Sequence, residues 1–507
     1  MRKSTMATEF EFDDLQGLLR YGYGHLPESC FLLVNVTDDE AAKRWLRQAP
    51  VTHAGQRPAD RALHVAFSPA GLRALGLPEA VLGQFSEEFL SGMAGDANRS
   101  RRLGDVGANA PANWDWGGDP PALPHLLLLL YAETGRIDAW RRQLEDEPFR
   151  RGFQVVRQLP TRARGTKEPF GFEDGISQPK IDWRRRQTTR AHDHDGYSNR
   201  VAIGEMVLGY PNEYGLYTLR PLLDPQTDSQ AALLPHAEDR PQYRDLGRNG
   251  TYLVLRQLAQ DVPGFWRFLV AQSGDLERAQ ALAATLVGRK TDGTPLVEGP
   301  QPPIPGTPDD SPNNRFTFDN DPRGQRCPLG AHIRRANPRT GDQMPGGKGG
   351  WFGRLQKIFG FAQGPEDDLV APSRFHRILR RGRAYGPSLT PREAVEADAT
   401  REEQGLQFIC LGANLARQFE FVQNAWVASS KFNGVQLQQD PLLGNREPLL
   451  AGERTDQFSQ ADPAGPRQVT CPLPRFVTVR GGAYFFLPGL RALRYLASLP
   501  SPHGESR

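Results

Sequence analysis

The sequence has few cysteines, and we expect no export signal. Only four cysteines occur in 507 residues, and no two of them have the C-x-x-C spacing of a metal-binding motif. So few cysteines exclude a dense disulfide framework and are typical of a protein with reduced thiols. The N-terminus has neither an apolar signal segment nor a twin-arginine motif. We therefore expect a cytoplasmic protein.

Long apolar runs and an excess of one charge are also missing. The longest strongly apolar run is Leu126–Ala132, far shorter than the roughly 20 residues that a membrane-spanning helix needs. Lys and Arg number 62, Asp and Glu number 59, and the formal net charge is +3. Nucleic-acid-binding domains usually carry a much stronger basic excess. We expect no membrane span and no nucleic-acid partner.

Short β-type runs alternate with helix-type patterns in the first part of the chain. This pattern predicts strands over 30–36, 62–67, 125–132 and 153–158 and helices over 41–48, 69–75 and 136–144. The order is close to β-α-β-β-α-β with one insertion, which is the split βαβ arrangement of ferredoxin-like domains.

The second part repeats this order of elements. Strands are predicted over 205–210, 251–256 and 406–411, helices over 262–272 and 415–427, and a hairpin over 476–486 that turns at Gly481 and Gly482. We therefore predict an α+β protein with an internal duplication. Its N-terminal ferredoxin-like domain covers 1–200 and its C-terminal domain covers 201–507, with an insertion around 337–368.

The insertion contains WFGRLQKIFGF at 351–361, in which five apolar side chains share one helical face opposite Arg354 and Lys357. An amphipathic helix of this kind fits a membrane surface or a partner protein. For so short a stretch, we favour the alternative that the helix packs onto its own domain.

The histidines give little support to a metal site with several protein ligands. The ten histidines include no HExxH pair. A cofactor that needs one protein ligand, such as haem with one imidazole, remains compatible. His125, His332 and His376 are the candidates.

Two further segments carry candidate reactive groups. In FGFEDGISQP, at 170–179, glycines on both sides permit a tight loop that aims the Asp174 carboxylate at a ligand, although Asp-Gly is also an ordinary turn. In ILRRGRAYG, Arg380 is the candidate, although runs of arginine usually lie on the surface.

Together these segments resemble the dye-decolorizing peroxidases. GFEDGISQP resembles the GxxDG signature of that family, RCPLGAHIRRANPR its proximal-histidine segment, and HRILRRGRAYG its distal-arginine segment. The similarity continues in family order from about Leu15 to beyond Pro488, which is nearly the whole chain. One GxxDG motif alone is weak, but several segments in the family order are a strong signal.

The resemblance implies two ferredoxin-like domains with antiparallel sheets and haem b in the C-terminal domain. It also implies reduction of hydrogen peroxide to water through a ferryl intermediate, while dyes, phenols or other organic donors are oxidised. By position, His332 is the axial iron ligand, and Asp174 and Arg380 are the catalytic pair on the distal side. By the same resemblance, Leu406 and Phe408 line the distal pocket, and their alternate spacing fits this role, since residues i and i+2 of a strand share a face.

Other roles implied by the resemblance are less specific. Either Arg334 or Arg335 binds the haem propionates, and we name Arg334 as the candidate. Glu420 is the candidate acceptor for the second ring nitrogen of His332. A homo-oligomer is possible.

Two alternatives to a peroxidase remain open at this point. One is a haem-handling protein that binds haem or releases its iron without peroxidase turnover. The other is a colourless ferredoxin-like module that binds a partner through the 351–361 helix.

Overall fold

The computed structural model describes residues 10–163, 165, 167–185, 200–297, 312–314, 316–339, 373–397, 402–449, 452–462 and 466–501. The expected insertion beyond residue 339 and the 351–361 helix lie outside these residues. Within them, every helix is too short or too polar to cross a membrane.

The N-terminal half forms an antiparallel sheet with helices connecting its strands. The strands are β1 (Glu28–Val36), β2 (Arg61–Phe67), β3 (Leu126–Ala132) and β4 (Phe153–Leu159), in the spatial order β2-β3-β1-β4. Every residue of β3 is buried, which explains its continuous apolar sequence. The α-helices of this half are Asp39–Gln48, Pro69–Ala74, Glu79–Leu82, Glu87–Ser91, Ala97–Leu103, Ile137–Leu144 and Glu147–Gly152.

Short strand pairs connect this half to the next. Strands β5 (Lys180–Asp182) and β6 (Arg200–Ala202) pair in parallel, and β7 (Leu222–Leu223) and β8 (Arg244–Asp245) pair antiparallel.

The C-terminal half contains a second antiparallel arrangement with the same connectivity. Its sheet strands are β9 (Thr251–Gln260), β10 (Leu379–Arg380), β11 (Arg383–Tyr385), β12 (Gly405–Gly412) and β15 (Val477–Leu487). Between β12 and β15 in the chain, β13 (Phe458–Gln460) and β14 (Gln468–Thr470) form a separate antiparallel pair. The spatial order is β10-β12-β9-β15, and β11 also pairs with β12. The α-helices are Val262–Ser273, Leu276–Val287, His332–Ala336, Pro391–Glu396 and Leu490–Leu496.

The sheets of the two halves join at one strand pair. Strand β15 pairs with β2 at Phe486 and Phe67, so that nine strands of the described chain form one continuous sheet. When the strands are numbered from one within each half, and β10 and β11 count as one strand, both halves have the spatial order 2-3-1-4. This is the strand order of the split βαβ fold. The predicted α+β fold of ferredoxin-like units is therefore confirmed, whereas the domain boundary at residue 200 remains a prediction.

Two predicted elements are wrong. Residues 205–210 form no strand: Ile203–Glu205 is a 3₁₀ turn, and the amide of Gly204 donates to the carbonyl of Pro211 at 3.1 Å, which folds the segment back on itself. Its apolar side chains are buried by this compact turn rather than by a sheet.

The predicted hairpin over 476–486 is also wrong, because β15 passes through Gly481 and Gly482 as one strand with a bulge between Val479 and Gly481. The two glycines permit close contacts instead of a turn. A Cβ at Gly481 would overlap the Trp116 indole, and a Cβ at Gly482 would lie 2.8 Å from the Met93 sulfur.

The helix predicted over 415–427 is present in an unusual form. Two π-helical segments, Ala416–Glu420 and Val422–Val427, follow strand β12 directly. π-Helical turns are rare and are often found at functional sites. Here they place Phe419, Val422 and Trp426 along one wall of a large cavity.

Candidate active site

A cavity of about 1610 Å³, its mouth included, lies between strands β9 and β12, the 168–179 loop, helix His332–Ala336 and the π-helical segments. His332, Asp174 and Arg380 all line it, although 158 and 48 residues separate them along the chain. Most of the remaining wall is apolar and aromatic, with contributions from Phe170, Phe172, Leu258, Leu406, Phe408, Phe419, Val422, Leu442 and Val477.

His332 is held by a buried carboxylate that the sequence analysis missed. Its Nδ1 donates to Oδ2 of Asp440 at 2.9 Å, and Asp440 is completely buried. The other oxygen of Asp440 accepts the backbone N–H groups of Leu442 and Leu443, each at 2.9 Å. The carboxylate therefore fixes the ring through Nδ1 and leaves Nε2 as the nitrogen that can bind a metal.

Charge and burial act in opposite directions on this pair. Burial tends to raise the pKa of Asp440, but the His332 ring and the amide of Leu443 outweigh it, so the pKa is lowered. Burial tends to lower the pKa of His332, but the Asp440 carboxylate outweighs it, so the pKa is raised. Both effects favour an ionised Asp440 that accepts from the imidazole.

The expectation that Glu420 accepts from His332 is wrong. The Glu420 carboxylate points away from the cavity, where it accepts from the Tyr484 hydroxyl at 3.0 Å and pairs with Arg99 at 3.1 Å. Asp440 occupies the expected position instead. Its segment, QQDPLLGN, carries no signal beyond an Asp that can accept from amides two and three residues ahead.

Asp174 and Arg380 form an ion pair at the cavity wall. Nη1 of Arg380 donates to Oδ1 of Asp174 at 2.7 Å, with 31% and 39% of the two side chains exposed. The Arg380 backbone on β10 also donates to Oε1 of Gln178 at 2.9 Å, which ties this strand to the loop that carries Asp174. The left-handed glycines Gly171 (φ 97°) and Gly175 (φ 82°) let that loop turn on both sides of the carboxylate.

Leu406 and Phe408 both line the cavity from β12. Gly405 and Gln407, which alternate with them, are fully buried in the sheet, while the two cavity-facing residues are half-buried. This is the two-residue period of a strand with one face on a cavity.

The expectation that Arg334 binds a propionate is wrong, because its guanidinium points into the protein. It donates to the carbonyls of Asp321 and Cys327 at 2.9 Å and to the Asp321 carboxylate at 3.2 Å. Arg335 donates to backbone carbonyls, including that of Trp426 at 2.8 Å. Neither arginine lines the cavity.

Two other arginines face the cavity together. Arg289 and Arg339 donate to the hydroxyl of Ser177 at 3.0 and 2.9 Å, and all three residues line the wall. Burial lowers the pKa of Arg289 to about 10, and the positive charge of Arg380 adds to this effect. Such a concentration of positive charge favours an anionic ligand group. No sequence motif distinguishes these two arginines from the many others in the chain.

The remaining candidate histidines lie in different places. His376 lines the cavity, where its ring stacks on Phe421 at 3.7 Å and its Nδ1 donates to the carbonyl of Arg417 at 2.5 Å. His125 lies in the N-terminal half, where its Nδ1 accepts from the amide of Val36 at 3.0 Å.

A second cavity of about 890 Å³, its mouth included, adjoins the first at Asp174 and Arg380. The two cavities share Glu168, Asp174, Gly175, Arg380 and Leu406. Lys167 and Gly382 contribute to its outer part. Asp174 and Arg380 thus lie at the boundary between the two cavities.

Comparison with known proteins indicates the same family as the sequence motifs. No protein-family model matches the chain. A multifunctional dye peroxidase of Amycolatopsis sp. is 31% identical over 473 residues, which cover 86% of this chain and 83% of that protein. A dye-decolorizing peroxidase of Mycetinis scorodonius is 29% identical over 461 residues, covering 86% of this chain and 77% of that protein. A solved dye-decolorizing peroxidase with an engineered haem pocket shares the fold, with a TM-score of 0.71, 24% identity and coverage of 96% of this chain and 100% of its own.

Proposed function

The chain belongs to the dye-decolorizing peroxidase family, and on this premise we propose that His332, Asp174 and Arg380 are its reactive residues and haem b its cofactor. The protein is a haem-dependent oxidoreductase that uses hydrogen peroxide. We infer that dyes, phenols and similar organic molecules are the electron donors.

The cavity suits haem b in shape and in charge. Its walls are apolar and aromatic, as a flat porphyrin requires, and His332 offers one ring nitrogen for the iron. Arg289 and Arg339 are the groups that would bind the propionates. The C-x-x-C-H motif of covalently attached haem does not occur in the sequence. When bound, the haem iron supplies electrons to peroxide and recovers them from the organic donor.

Asp174 moves the proton that this reaction requires. Reduction of hydrogen peroxide to water requires a proton to pass from one peroxide oxygen to the other, and a carboxylate can accept and return it. The Arg380 guanidinium at 2.7 Å favours the ionised carboxylate, which is the form that accepts a proton. The remaining N–H donors of Arg380 stabilise the negative charge that develops on the peroxide oxygen that leaves as water.

Asp440 prepares His332 for its role as ligand. By accepting a hydrogen bond from Nδ1–H, the buried carboxylate orients the ring and makes Nε2 a stronger electron donor. The adjoining cavity gives peroxide and small donors a route to Asp174 and Arg380.

One observation carries this proposal: a carboxylate-supported imidazole and a carboxylate–guanidinium pair line the same cavity. A haem-handling protein without turnover requires the imidazole but not the pair. That alternative is not favoured, because the relatives are named peroxidases.

We predict that Asp174→Asn slows the reaction with peroxide by more than about tenfold, because the amide cannot accept the proton. Haem content should stay at the parental level, since His332 and Asp440 are unchanged. Stopped-flow recording of the Soret band after mixing with peroxide measures the rate. Asp138→Asn, at an exposed carboxylate of helix Ile137–Leu144, is the control. Parental kinetics in Asp174→Asn would exclude Asp174 as the proton carrier.

A further inference from the structure

Glu168 stands at the start of the loop that carries Asp174, and its side chain lines both cavities. Its carboxylate accepts the backbone N–H groups of Phe170 and Phe172, each at 3.0 Å. It also accepts from Nε2 of Gln260, at the end of strand β9, at 3.0 Å. One acidic side chain therefore joins the loop to the sheet.

The backbone of the same residue closes the turn. The amide of Glu168 donates to the carbonyl of Phe172 at 2.9 Å, and its carbonyl accepts from the amide of Gly171 at 2.9 Å. Phe170 and Phe172 are buried, which holds the turn against the core. Asp174 follows two residues after the last of these bonds.

Asp174 is consequently fixed from two sides. Arg380 binds its carboxylate directly at 2.7 Å, and Glu168 fixes the backbone that precedes it. The amide of Glu173 adds a hydrogen bond to the carbonyl of Thr291 at 3.2 Å. Loss of the Glu168 or the Arg380 anchor leaves Asp174 less firmly held, and errors of about 1 Å in the placement of a reacting group are costly.

We propose that Glu168 is a positioning residue for the peroxide reaction: its ionised carboxylate holds the loop that presents Asp174, and protonation of that carboxylate loosens the loop. This inference rests on the proposed role of Asp174. Glu168 acts through the loop and takes no proton from peroxide itself.

Protonation weakens the anchor for a geometric reason. The two oxygens of Glu168 accept three N–H donors, and a carboxyl hydroxyl gives up acceptor capacity on one of them. Burial raises the pKa of Glu168 and the charge of Asp174 adds to it, although the amides and Gln260 oppose the shift. Besides Asp174, Arg162 of the preceding segment and His332 across the cavity act on Glu168 electrostatically. Among the described residues, Lys167, Arg380, Arg381 and Arg383 line the adjoining cavity with it. On acidification, the anchor should therefore weaken at a pH above the ordinary pKa of a glutamate side chain.

Glu168→Gln tests this role in the holoenzyme, because the amide keeps the size of the side chain but loses its charge and one acceptor oxygen. The matched control is Glu28→Gln. Glu28 accepts the amides of Gly135 and Ile137 at 2.8 and 3.2 Å, so it also anchors a loop with both oxygens, but in the N-terminal half.

We expect Glu168→Gln to react with peroxide at least tenfold more slowly at neutral pH and to move the acid limb of its pH–rate profile to lower pH. Hydrogen exchange of the amides at 170–174 should be faster than in the parent, both with haem and in the apoprotein. Glu28→Gln should keep the parental rate, profile and exchange. A parental rate with an unmoved acid limb in Glu168→Gln would overturn the proposal.

Two further measurements keep the outcomes distinct. If the parent itself does not react with peroxide, the proposed function fails, while exchange in the apoprotein still tests the anchor. If Glu168→Gln does not fold, Gln260→Met removes one donor and leaves the carboxylate. We then expect the acid limb to move to higher pH, because the anion is less stabilised, and an unmoved limb would overturn the proposal.

Discussion

Carboxylates around the cavity differ in function because their surroundings differ. Asp440 is completely buried and accepts an imidazole, Asp174 is partly exposed and pairs with a guanidinium, and Glu168 accepts backbone amides. Glu420 lies just after the cavity-lining Phe419 but faces Arg99 and Tyr484. Proximity in sequence to a cavity residue does not establish a role, since neighbouring helical side chains point in different directions.

We predict that Asp440→Asn weakens haem binding by about 10- to 100-fold, the range for loss of a partner that orients a metal ligand. Because the amides of Leu442 and Leu443 require an oxygen, the new NH₂ group must face the Nδ1–H of His332. Titration of the apoprotein with hemin measures the affinity. Asp228→Asn is the control. Asp228 accepts two backbone amides and the Tyr495 hydroxyl far from the cavity, so we expect this variant to bind hemin with the parental affinity. Equal affinities in both variants would contradict the role of Asp440.

At the scale of elements, sequence patterns predicted strands better than turns. Strands β1 to β4, β9 and β12 lie where apolar runs predicted them, because long burial in a sheet demands such runs. The run at 205–210 is also largely apolar, yet Gly204 just before it and Gly209 within it let the segment fold back on itself. Gly481 and Gly482 suggested a turn, but they serve the contact with Trp116 and Met93. A local pattern does not reveal which distant side chain needs the space.

We predict that Gly481→Ala lowers the free energy of unfolding by about 1–3 kcal/mol, the usual effect of overpacking. The added methyl overlaps the Trp116 indole, which is fixed by a hydrogen bond to Gln257 at 2.9 Å. Chemical denaturation measures the difference. Gly22→Ala is the control, because no atom outside its neighbours lies within 4 Å of a Cβ there. A Gly481→Ala protein as stable as the parent would show that β15 can shift at its bulge.

At the scale of the whole molecule, the reactive residues come from segments that are far apart in the chain. The resemblance of short motifs identified Asp174, His332 and Arg380, which meet in one cavity. Asp440, Arg289 and Arg339 were missed, since their segments are ordinary and only tertiary packing brings them to the cavity. Sequence motifs thus predicted the residues of the proposed chemistry. The residues that hold them in place, or that face the cavity beside them, became visible only in the structure.

We predict that hemin raises the melting temperature of the apoprotein, because a ligand that binds only the folded state stabilises it, by about 2.7 kcal/mol at 100 times Kd. His332→Ala should show a much smaller rise. Differential scanning calorimetry with and without hemin measures both. Iron-free protoporphyrin is the control, since it fills the cavity without a bond to His332. The same rise for His332→Ala and the parent would mean that another residue binds the iron.

The distance in sequence between His332 and Asp440, and the presence of Val477 in the cavity wall, affect how the protein matures. While the ribosome is still translating the region before residue 440, the imidazole has no carboxylate to orient it and the pocket lacks a wall. On the proposed role of His332, we therefore expect haem to bind only after translation is nearly complete, and we expect a chain truncated before residue 440 to be purified without haem.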